Sequence, residues 1–335
     1  MAITNSNEHL AFVVIGRNEG DRLKTGLLAI QSLCPHAPIV YVDSGSDDDS
    51  VAFALSLNIL IVELDMSVPF TAARARNAGF EKLMQTHSEL SYVQFMDGDC
   101  ELLSGWVEVA TTELKKSGDI GIVSGRRTER FPEVSIYNEL IDIEWNTPIG
   151  ETLAVLGDMC VKVNVFQEID GFDETIIAAE DDDFCLRARK AGYKTYRLDA
   201  AMSMHDANIL HIFQWYKRAK RGGHGYANIY HLHGQSPLNY FQRQVKSVLF
   251  WGVLIPLAFL FSLFIAPWVA VSILFIYVAF ILKTVIGLWR KGIPLKTAIY
   301  YGFFIFTGKI PEFMGIVQYC KNHLLSRKHQ LIEYK

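Results

Sequence analysis

Short apolar runs alternate with longer segments of helical spacing over the first 210 residues of the chain. The apolar runs have the length of buried strands. They cover residues 11–15, 38–42, 59–62 and 92–96. The helical segments cover residues 21–33, 47–56 and 71–84. Strands that alternate with helices predict an α/β fold with a mostly parallel sheet and helices on both of its faces.

A long apolar stretch begins near residue 247. Lys283 is the only charged residue between positions 248 and 289, and the stretch is about twice the roughly 20 residues that cross a bilayer. Pro267 lies near its middle, so we expect a transmembrane helical hairpin with helices at about 247–265 and 268–288. A buried hairpin of a soluble protein is the alternative.

A third apolar stretch, residues 297–320, is interrupted by Lys309, Pro311 and Glu312. It could span the membrane, re-enter it, or lie at the interface as broken amphipathic helices. We therefore expect two domains, a cytosolic domain at residues 1–235 and a membrane region at residues 236–335.

Basic residues flank the hairpin on both outer sides, which places both of these sides in the cytoplasm by the positive-inside rule. They are Arg243, Lys246, Arg290, Lys291 and Lys296. Residues 1–10 are polar and lack the features of a secretory signal. The expected location is the inner or plasma membrane, with a multi-pass anchor, membrane lipids as partners and the domain at residues 1–235 in the cytoplasm.

The charge balance bears on the class of partner. The chain has 32 basic and 36 acidic residues and a net charge of −4, which argues against a general nucleic-acid binder. Its five cysteines show no metal-site spacing, which is typical of reduced cytosolic thiols.

Paired carboxylates, Asp97 and Asp99, follow the apolar run at residues 92–96 with Gly98 between them. Two carboxylates on such a turn can point at one cation, and oxygen ligands suit Mg²⁺ or Mn²⁺. A cation there would bridge the phosphates of a nucleoside diphosphate. Polar clusters also follow the first two apolar runs, and ligands bind at such strand ends. The alternative for the pair is a solvated surface turn.

Four consecutive acids occupy positions 180–183, directly before a segment of helical spacing at residues 184–192. Acids at a helix N-terminus are favoured by the helix dipole, which explains part of the run. A carboxylate held there could also act as a general base on an acceptor hydroxyl. His205 follows another apolar run, residues 200–204, and is a possible metal ligand.

Four basic residues and three glycines lie between residues 215 and 226, just before the apolar stretch. They could form a basic collar against anionic lipid headgroups. They could also form a flexible segment that closes over a pyrophosphate, with Arg218 and Arg221 as bidentate clamps. The two interpretations are compatible.

Together these motifs resemble family 2 glycosyltransferases, which have the GT-A fold, over about residues 11–226. The resemblance implies a donor-binding segment that contains Arg17 and Glu19, and a nucleotide-base contact at Asp43. It places Arg76, in Ala75-Arg76-Asn77-Ala78-Gly79, beside the diphosphate. The expected Asp-Asp-Gly-Ser after the second strand is Asp43-Ser44-Gly45-Ser46 in this chain.

The resemblance also assigns the remaining acids. Asp97 and Asp99 match the metal-binding pair, and His205 completes the metal site. Asp97 also contributes to binding of the nucleotide-sugar donor. Asp181 would be the catalytic base, and Glu180 and Asp183 would shape the acceptor side. Asp170 replaces the first glycine of the family's Gly-Gly-Phe-Asp-Glu motif.

The implied activity is inverting, metal-dependent transfer of a hexosyl unit from a nucleotide sugar. The implied acceptor is a lipid-linked or membrane-proximal glycan, as in cell-envelope or exopolysaccharide synthesis. No processive-synthase signature is present, and two or three membrane segments are too few for a translocation channel. The alternatives are a membrane-tethered nucleotide-sugar binding protein, an inactive transferase, or a nucleotidyltransferase, although residues 16–20 make a poor triphosphate cradle.

Overall fold

The computed structural model describes residues 9–235, 238–325 and 332–333. The chain divides into two compact units, the first comprising Met1–Arg130 and Asp142–Ala207, the second Phe131–Ile141 and Asn208–Lys335. The last residue of the first unit is therefore Ala207. The sequence predicted a domain boundary at residue 235, and that boundary stays a prediction. The expectation drawn from the polar N-terminus falls mostly on residues 1–8, outside the described residues.

The first four strands of the first unit are parallel neighbours, as the alternating pattern predicts. They are β1 (Leu10–Gly16), β2 (Ile39–Asp43), β3 (Leu60–Glu63) and β4 (Tyr92–Asp97). The helices between them are α1 (Asp21–Leu33), α2 (Ser50–Ser56) and α3 (Ala72–Thr86). All three pairings of these strands are parallel, so their carboxyl ends lie along one edge of the sheet.

The rest of the sheet is mostly antiparallel. Its strands are β5 (Cys100–Leu102), β6 (Ile120–Glu129), β7 (Gly150–Thr152), β8 (Met159–Lys162) and β9 (Lys194–His205). The order is β3-β2-β1-β4-β8-β6-β9-β5, with β7 also on β9. Only β6 with β9 is parallel in this half, so the sheet is mixed rather than mostly parallel.

Strand β1 shows why the sheet carries helices on both faces. Leu10, Phe12 and Val14 belong to one buried apolar cluster, while Ala11 and Val13 belong to another. Since alternate residues of a strand point to opposite faces, each cluster lies on its own face of the sheet. The remaining α-helices before Ala207 are α4 (Trp106–Lys116), α5 (Ile136–Trp145), α6 (Val163–Glu168) and α7 (Glu180–Lys190).

The second unit is helical. Its helices are α8 (Ile212–His233), α9 (Gln242–Leu249), α10 (Ile255–Ile265), α11 (Pro267–Arg290), α12 (Leu295–Thr307) and α13 (Lys309–Leu324). A π-helical turn, Phe250–Leu254, joins α9 to α10. Two continuous helices, Gln242–Ile265 and Pro267–Arg290, each have 24 residues and are long and apolar enough to cross a membrane.

The apolar windows of these two helices are only 11% and 17% buried. The buried hairpin of a soluble protein would hide most of those side chains, so the exposure favours the membrane alternative. The third apolar stretch folds as α12 and α13, which meet at Gly308. At 13 residues, α12 is about 20 Å long, too short to cross the hydrocarbon core alone.

Helices α8 and α13 approach closely at two glycines. A Cβ added to Gly223 would lie 1.9 Å from the carbonyl oxygen of Glu312, and one added to Gly315 would lie 2.0 Å from that of Lys220. One of the two interpretations of the segment at residues 215–226 was a flexible segment that closes over a pyrophosphate. It is helical throughout, and Gly223 allows close packing.

Candidate active site

The carboxyl ends of β1, β2 and β4 bring the polar clusters of the sequence together. Ile15 pairs with Asp97, and Gly16 pairs with Asp43. The backbone N–H of Gly98 donates to the carbonyl oxygen of Ile15 at 2.7 Å, which fixes the turn that carries the paired acids. The candidate site therefore lies at the strand edge that the parallel topology predicts.

Two arginines hold the carboxylate of Asp97, which is 29% exposed. Arg76 Nη2 donates to Oδ1 at 2.8 Å, and Arg127 Nη2 donates to Oδ2 at 3.3 Å. Arg127 also pairs with buried Asp158 at 2.9 Å. Asp158 in turn accepts the backbone N–H of Asp97 at 3.0 Å and the Ser203 hydroxyl at 2.8 Å.

Arg76 connects two of the predicted motifs. Its side chain is 2% exposed, and Nη1 donates to Glu180 Oε1 at 2.7 Å while Nη2 binds Asp97. A Cβ at position 157 would lie 2.4 Å from Nη2, so only Gly157 leaves room for this guanidinium. The structure thus places Arg76 as a buried bridge between β4 and α7, and its contact with a diphosphate stays a prediction.

A possible metal site lies beside this network. The ligand atoms of Asp99, Cys100 and His205 are all within 4.8 Å of one another, and Asp99 Oδ1 lies 3.3 Å from His205 Nε2. Cys100 pairs with His205 across strands β5 and β9. The structure thus groups Asp99 with His205, whereas the oxygens of Asp97 face arginines.

Histidine 205 is buried in a form suited to a ligand. Burial lowers its pKa, which favours the neutral imidazole that binds metals. Glu129 Oε2 lies 3.7 Å from Nδ1, and the ring of Trp145 contacts the imidazole edge to face at 4.6 Å. One carboxylate oxygen and one imidazole nitrogen fit a divalent cation such as Mn²⁺ or Mg²⁺.

The four acids at residues 180–183 form the first turn of α7. The sequence predicted a helix from residue 184, but the helix begins at Glu180 because acids are stable in the first turn. Glu180 binds Arg76, and Asp183 accepts from Arg187 Nε at 2.7 Å. Both carboxylates therefore have intrachain partners, and their acceptor-side role stays a prediction.

Asp181 has a different environment. Its side chain is partly exposed, and Oδ1 accepts the backbone N–H of Asp182 at 3.0 Å. Desolvation and, to a smaller extent, the negative charge of Glu180 raise the pKa of Asp181, Arg76 lowers it, and the net pKa is about 7. A carboxyl group that gives up its proton near neutrality is suited to general base catalysis.

The residues that the sequence assigns to donor binding stabilise loops in the structure. Asp43 is 2% exposed and accepts from the Tyr41 and Ser46 hydroxyls and from the N–H groups of Gly45 and Ser46. It therefore fixes the turn after β2, and its contact with a nucleotide base stays a prediction.

Arg17 and Glu19 follow β1. Arg17 Nε donates to the carbonyl oxygen of Gly45 at 3.4 Å, and its guanidinium lies over the ring of Phe70. Glu19 pairs with Arg22 at 2.9 Å. Arg218 and Arg221 belong to α8, in the second unit. The predicted donor contacts of these four residues stay predictions.

Sequence reasoning missed Arg127, Glu129 and Asp158. The first two are alternate residues of β6, so they share one face of a strand that is largely buried. Two opposite charges on one face of a buried strand were the available signal. Asp158 gave no such signal, because its partners are 31 and 45 residues away, at Arg127 and Ser203.

The sequence matches glycosyl transferase family group 2 over residues 96–289, more than half of the chain, and glycosyl transferase family 2 over residues 12–160. No curated protein matches it.

Several solved structures are similar. The mannosyltransferase PcManGT from Pyrobaculum calidifontis, in complex with GDP-Man and Mn²⁺, has a TM-score of 0.64 and 16% identity. That match covers 93% of this chain and 87% of that one. Staphylococcus aureus TarS has a TM-score of 0.46 and 14% identity, and covers 73% of this chain. This chain spans about half of the TarS chain, 49%.

GalNAc-T7 with UDP, GalNAc and Mn²⁺ has a TM-score of 0.48 and 12% identity, with 71% of this chain and 54% of that chain covered. The likeness to PcManGT confirms the expected α/β fold of GT-A type with flanking helices, although the sheet is mixed rather than mostly parallel.

Proposed function

Since the chain belongs to the family 2 glycosyltransferases, we propose that it is an inverting, metal-dependent enzyme of cell-envelope or exopolysaccharide synthesis. It moves a hexosyl unit from a nucleoside-diphosphate sugar to a lipid-linked or membrane-proximal glycan. Family membership favours this activity over the binding-protein and nucleotidyltransferase alternatives.

The observation that supports the proposal most directly is the bridge made by Arg76. This guanidinium binds Asp97, at the end of β4, and Glu180, which directly precedes Asp181. One buried side chain therefore connects the predicted donor end with the predicted base. An inverting displacement needs both ends close together, because the acceptor attacks as the diphosphate leaves.

Asp99 and His205 would hold the metal. A divalent cation, when bound there, would supply positive charge that stabilises the departing diphosphate. Glu129 and Trp145 would keep the imidazole of His205 in one orientation, as outer partners of metal ligands do. Asp97, with Arg76 and Arg127 on its two oxygens, would orient the donor rather than provide the main metal contact. PcManGT was solved with GDP-Man and Mn²⁺, which supports a nucleotide sugar and a divalent cation for this chain.

Asp181 would take the proton of the acceptor hydroxyl on a carboxylate oxygen. Its raised pKa makes the carboxylate a stronger base than an ordinary aspartate. Glu180 and Asp183 would fix the first turn of α7 through Arg76 and Arg187, so that Asp181 points consistently.

The two long apolar helices support an acceptor carried by the membrane. We place the hairpin in the inner or plasma membrane and the first unit in the cytoplasm, where it has access to nucleotide sugars. Helices α12 and α13 would then lie at the membrane interface. Arg218 and Arg221 would act either on lipid headgroups or on the donor pyrophosphate.

A donor panel tests the proposal. The purified full chain is incubated with individual nucleotide sugars and Mn²⁺ or Mg²⁺, and the released nucleotide is identified. We expect a free nucleoside diphosphate from at least one donor, loss of the product on chelation, and loss in Asp99→Asn. Release of pyrophosphate would support nucleotidyl transfer instead, and full turnover in excess chelator would exclude the metal.

A further inference from the structure

A buried thiol lies beside the two predicted metal ligands. Cys100 directly follows Asp99 and is the register partner of His205 across strands β5 and β9. Successive residues of a strand point to opposite faces, but Asp99 belongs to the turn before β5, so its carboxylate and the Cys100 thiol converge near His205. All three side chains are buried. The proposed transfer uses Asp99 and His205 but gives the thiol no role.

The distances match the edges of a tetrahedral zinc site. Zinc bonds are about 2.0 Å to a carboxylate oxygen, about 2.1 Å to an imidazole nitrogen and about 2.3 Å to a thiolate sulfur, so the oxygen is about 3.3 Å from the nitrogen and about 3.5 Å from the sulfur. Asp99 Oδ1 lies 3.3 Å from His205 Nε2 and 3.7 Å from Cys100 Sγ. The third edge, from Sγ to the imidazole, is no longer than 4.8 Å.

The chemistry of the three ligand atoms favours zinc over harder cations. Glu129 Oε2 lies 3.7 Å from His205 Nδ1, which favours the tautomer that keeps the lone pair of Nε2 for a metal. A carboxylate oxygen and an imidazole nitrogen suit several divalent cations, but a thiolate selects zinc over Mg²⁺ and Mn²⁺. Zn²⁺ also stands above Mn²⁺ in the general order of affinities.

We propose that Asp99, Cys100 and His205 form a zinc site that overlaps the proposed site of Mn²⁺ or Mg²⁺. Zinc bound through Oδ1, Sγ and Nε2 has three protein ligands, and a water molecule completes the tetrahedron. The Zn–S bond forms as the S–H bond breaks, and the thiol proton passes to the solvent. Because Asp99 and His205 bind either cation, zinc excludes the other one and inhibits transfer. Only this inhibition rests on the proposed function.

The simpler interpretation is that the Cys100 thiol fills the core and donates a weak hydrogen bond to Asp99. Burial raises the pKa of this thiol, which keeps it protonated when no metal is bound. In that case Cys100 never bonds to a metal, and a serine at this position would leave the affinity for zinc unchanged. The two interpretations therefore differ in whether a sulfur–metal bond forms.

Titration of the metal-free full chain with Co²⁺, which replaces zinc in such sites, tests the proposal. A thiolate on Co²⁺ gives a charge-transfer absorption band that carboxylate and imidazole ligands do not give. Zn²⁺ and Mn²⁺ are then added as competitors, and calorimetry measures the affinity for Zn²⁺. The test variant is Cys100→Ser. Cys160→Ser is the matched control, because Cys160 is similarly buried in the first unit, and Cys320→Ser controls for an exposed thiol.

We expect the charge-transfer band in wild type and in both control variants, and its loss in Cys100→Ser. Zn²⁺ should remove the band at a far lower concentration than Mn²⁺. Cys100→Ser should bind Zn²⁺ about 100-fold more weakly, which is the upper end of what the loss of an outer partner of a ligand costs.

Three outcomes would overturn the zinc site. They are a folded wild type that shows no charge-transfer band, a band that persists in Cys100→Ser, and an equal loss of Zn²⁺ affinity in Cys160→Ser. The first of these does not depend on whether any variant folds. Circular dichroism of Cys100→Ser separates the loss of a ligand from the loss of the fold.

The result is separable from the proposed transferase activity. Wild type that turns over a donor with Mn²⁺ but shows no charge-transfer band would overturn only the zinc site. Wild type that shows the band but turns over no donor would overturn only the proposed reaction. Turnover with Mn²⁺ that is unchanged by saturating Zn²⁺, in protein that shows the band, would overturn the overlap of the two sites.

Discussion

At the scale of single residues, the proposed chemistry depends on the protonation of one carboxyl group. Asp181 is partly exposed and has a raised pKa, while its neighbours Glu180 and Asp183 are occupied by Arg76 and Arg187. Among the four consecutive acids, these contacts separate the candidate base from the structural carboxylates. Two predictions follow from its charge.

Asp181→Asn should lower kcat by about 10²–10⁴ and leave donor and metal affinity near wild type, because only proton transfer is lost. Steady-state kinetics and donor titration calorimetry measure the two effects separately. Asp182→Asn, the same change one residue later, is the control and should turn over nearly normally. A collapse of donor affinity in Asp181→Asn would instead assign this residue to the metal site.

The value of kcat should decrease as the pH is lowered below about 7. The pKa of Asp181 is raised to about 7, chiefly by desolvation and then by the charge of Glu180, so the protonated and inactive form of the base predominates below that pH. Asp181→Asn should lack this limb of the profile. A wild-type kcat that stays constant well below pH 7 would contradict the assignment of the base.

The motif matches to family 2 glycosyltransferases predicted that Asp99 and His205 share one site, and the structure places Oδ1 of Asp99 3.3 Å from Nε2 of His205. They did not predict that Asp97 would face two arginines. Arg76 comes 21 residues before Asp97 and Arg127 comes 30 after it, and such pairings depend on the folded sheet. The buried role of Asp43 was hidden for a related reason, since local turn hydrogen bonds use its carboxylate.

At the scale of secondary-structure elements, α3 is connected to β4 and α7 by one buried guanidinium, and α8 is packed against α13 through glycines. In both places a small structural change has a predictable effect on stability. Strand and helix bounds were predicted well where an apolar run ends at a turn. The predicted start of α7, residue 184, was four residues late, because the acids were placed before the helix whereas they form its first turn.

Arg76→Met should reduce the free energy of unfolding by about 3–5 kcal/mol, because it leaves the buried carboxylate of Glu180 without its partner. Denaturant unfolding of the purified full chain measures this. Arg74→Met is the control on the same helix, since Arg74 is only half-buried and donates to one carbonyl oxygen. It should change stability by about 0.5 kcal/mol or less. Equal effects of the two variants would contradict the bridge.

Gly223→Ala should destabilise the packing of α8 on α13 by about 1–3 kcal/mol, because the added methyl group would collide with the backbone of Glu312. Gly222→Ala is the matched control, because a Cβ there meets nothing within 4 Å. That change should be neutral or stabilising by up to about 1 kcal/mol, since alanine favours the helix. Thermal unfolding in detergent compares them, and a control less stable than Gly223→Ala would contradict the predicted packing.

At the scale of the whole molecule, the sequence predicted an α/β unit followed by apolar helices, and both are present. The mixed half of the sheet was not predicted, since strands such as β7 and β8 have three and four residues and give no periodic signal. The division at Ala207 was also hidden, because α8 is polar in composition and yet groups with the apolar helices.

A reporter fused near Pro267 should appear on the outer side of the membrane, and reporters at both termini should appear in the cytoplasm. Positive charges on both outer sides of the hairpin predict this orientation. Paired alkaline phosphatase and green fluorescent protein fusions, which are active on opposite sides of the membrane, measure it. An external N-terminus would remove the proposed access of the first unit to cytoplasmic nucleotide sugars.

The bridge at Arg76 has a consequence for anyone who redesigns this enzyme. Because one guanidinium serves both Asp97 and Glu180, a substitution meant to change donor preference at position 97 also changes the electrostatic surroundings of the next residue after Glu180. Positions 76, 97 and 180 should therefore be varied together in a library rather than one at a time. Variants that use a new donor because of a substitution at position 97 alone are expected to have a shifted pH optimum of activity.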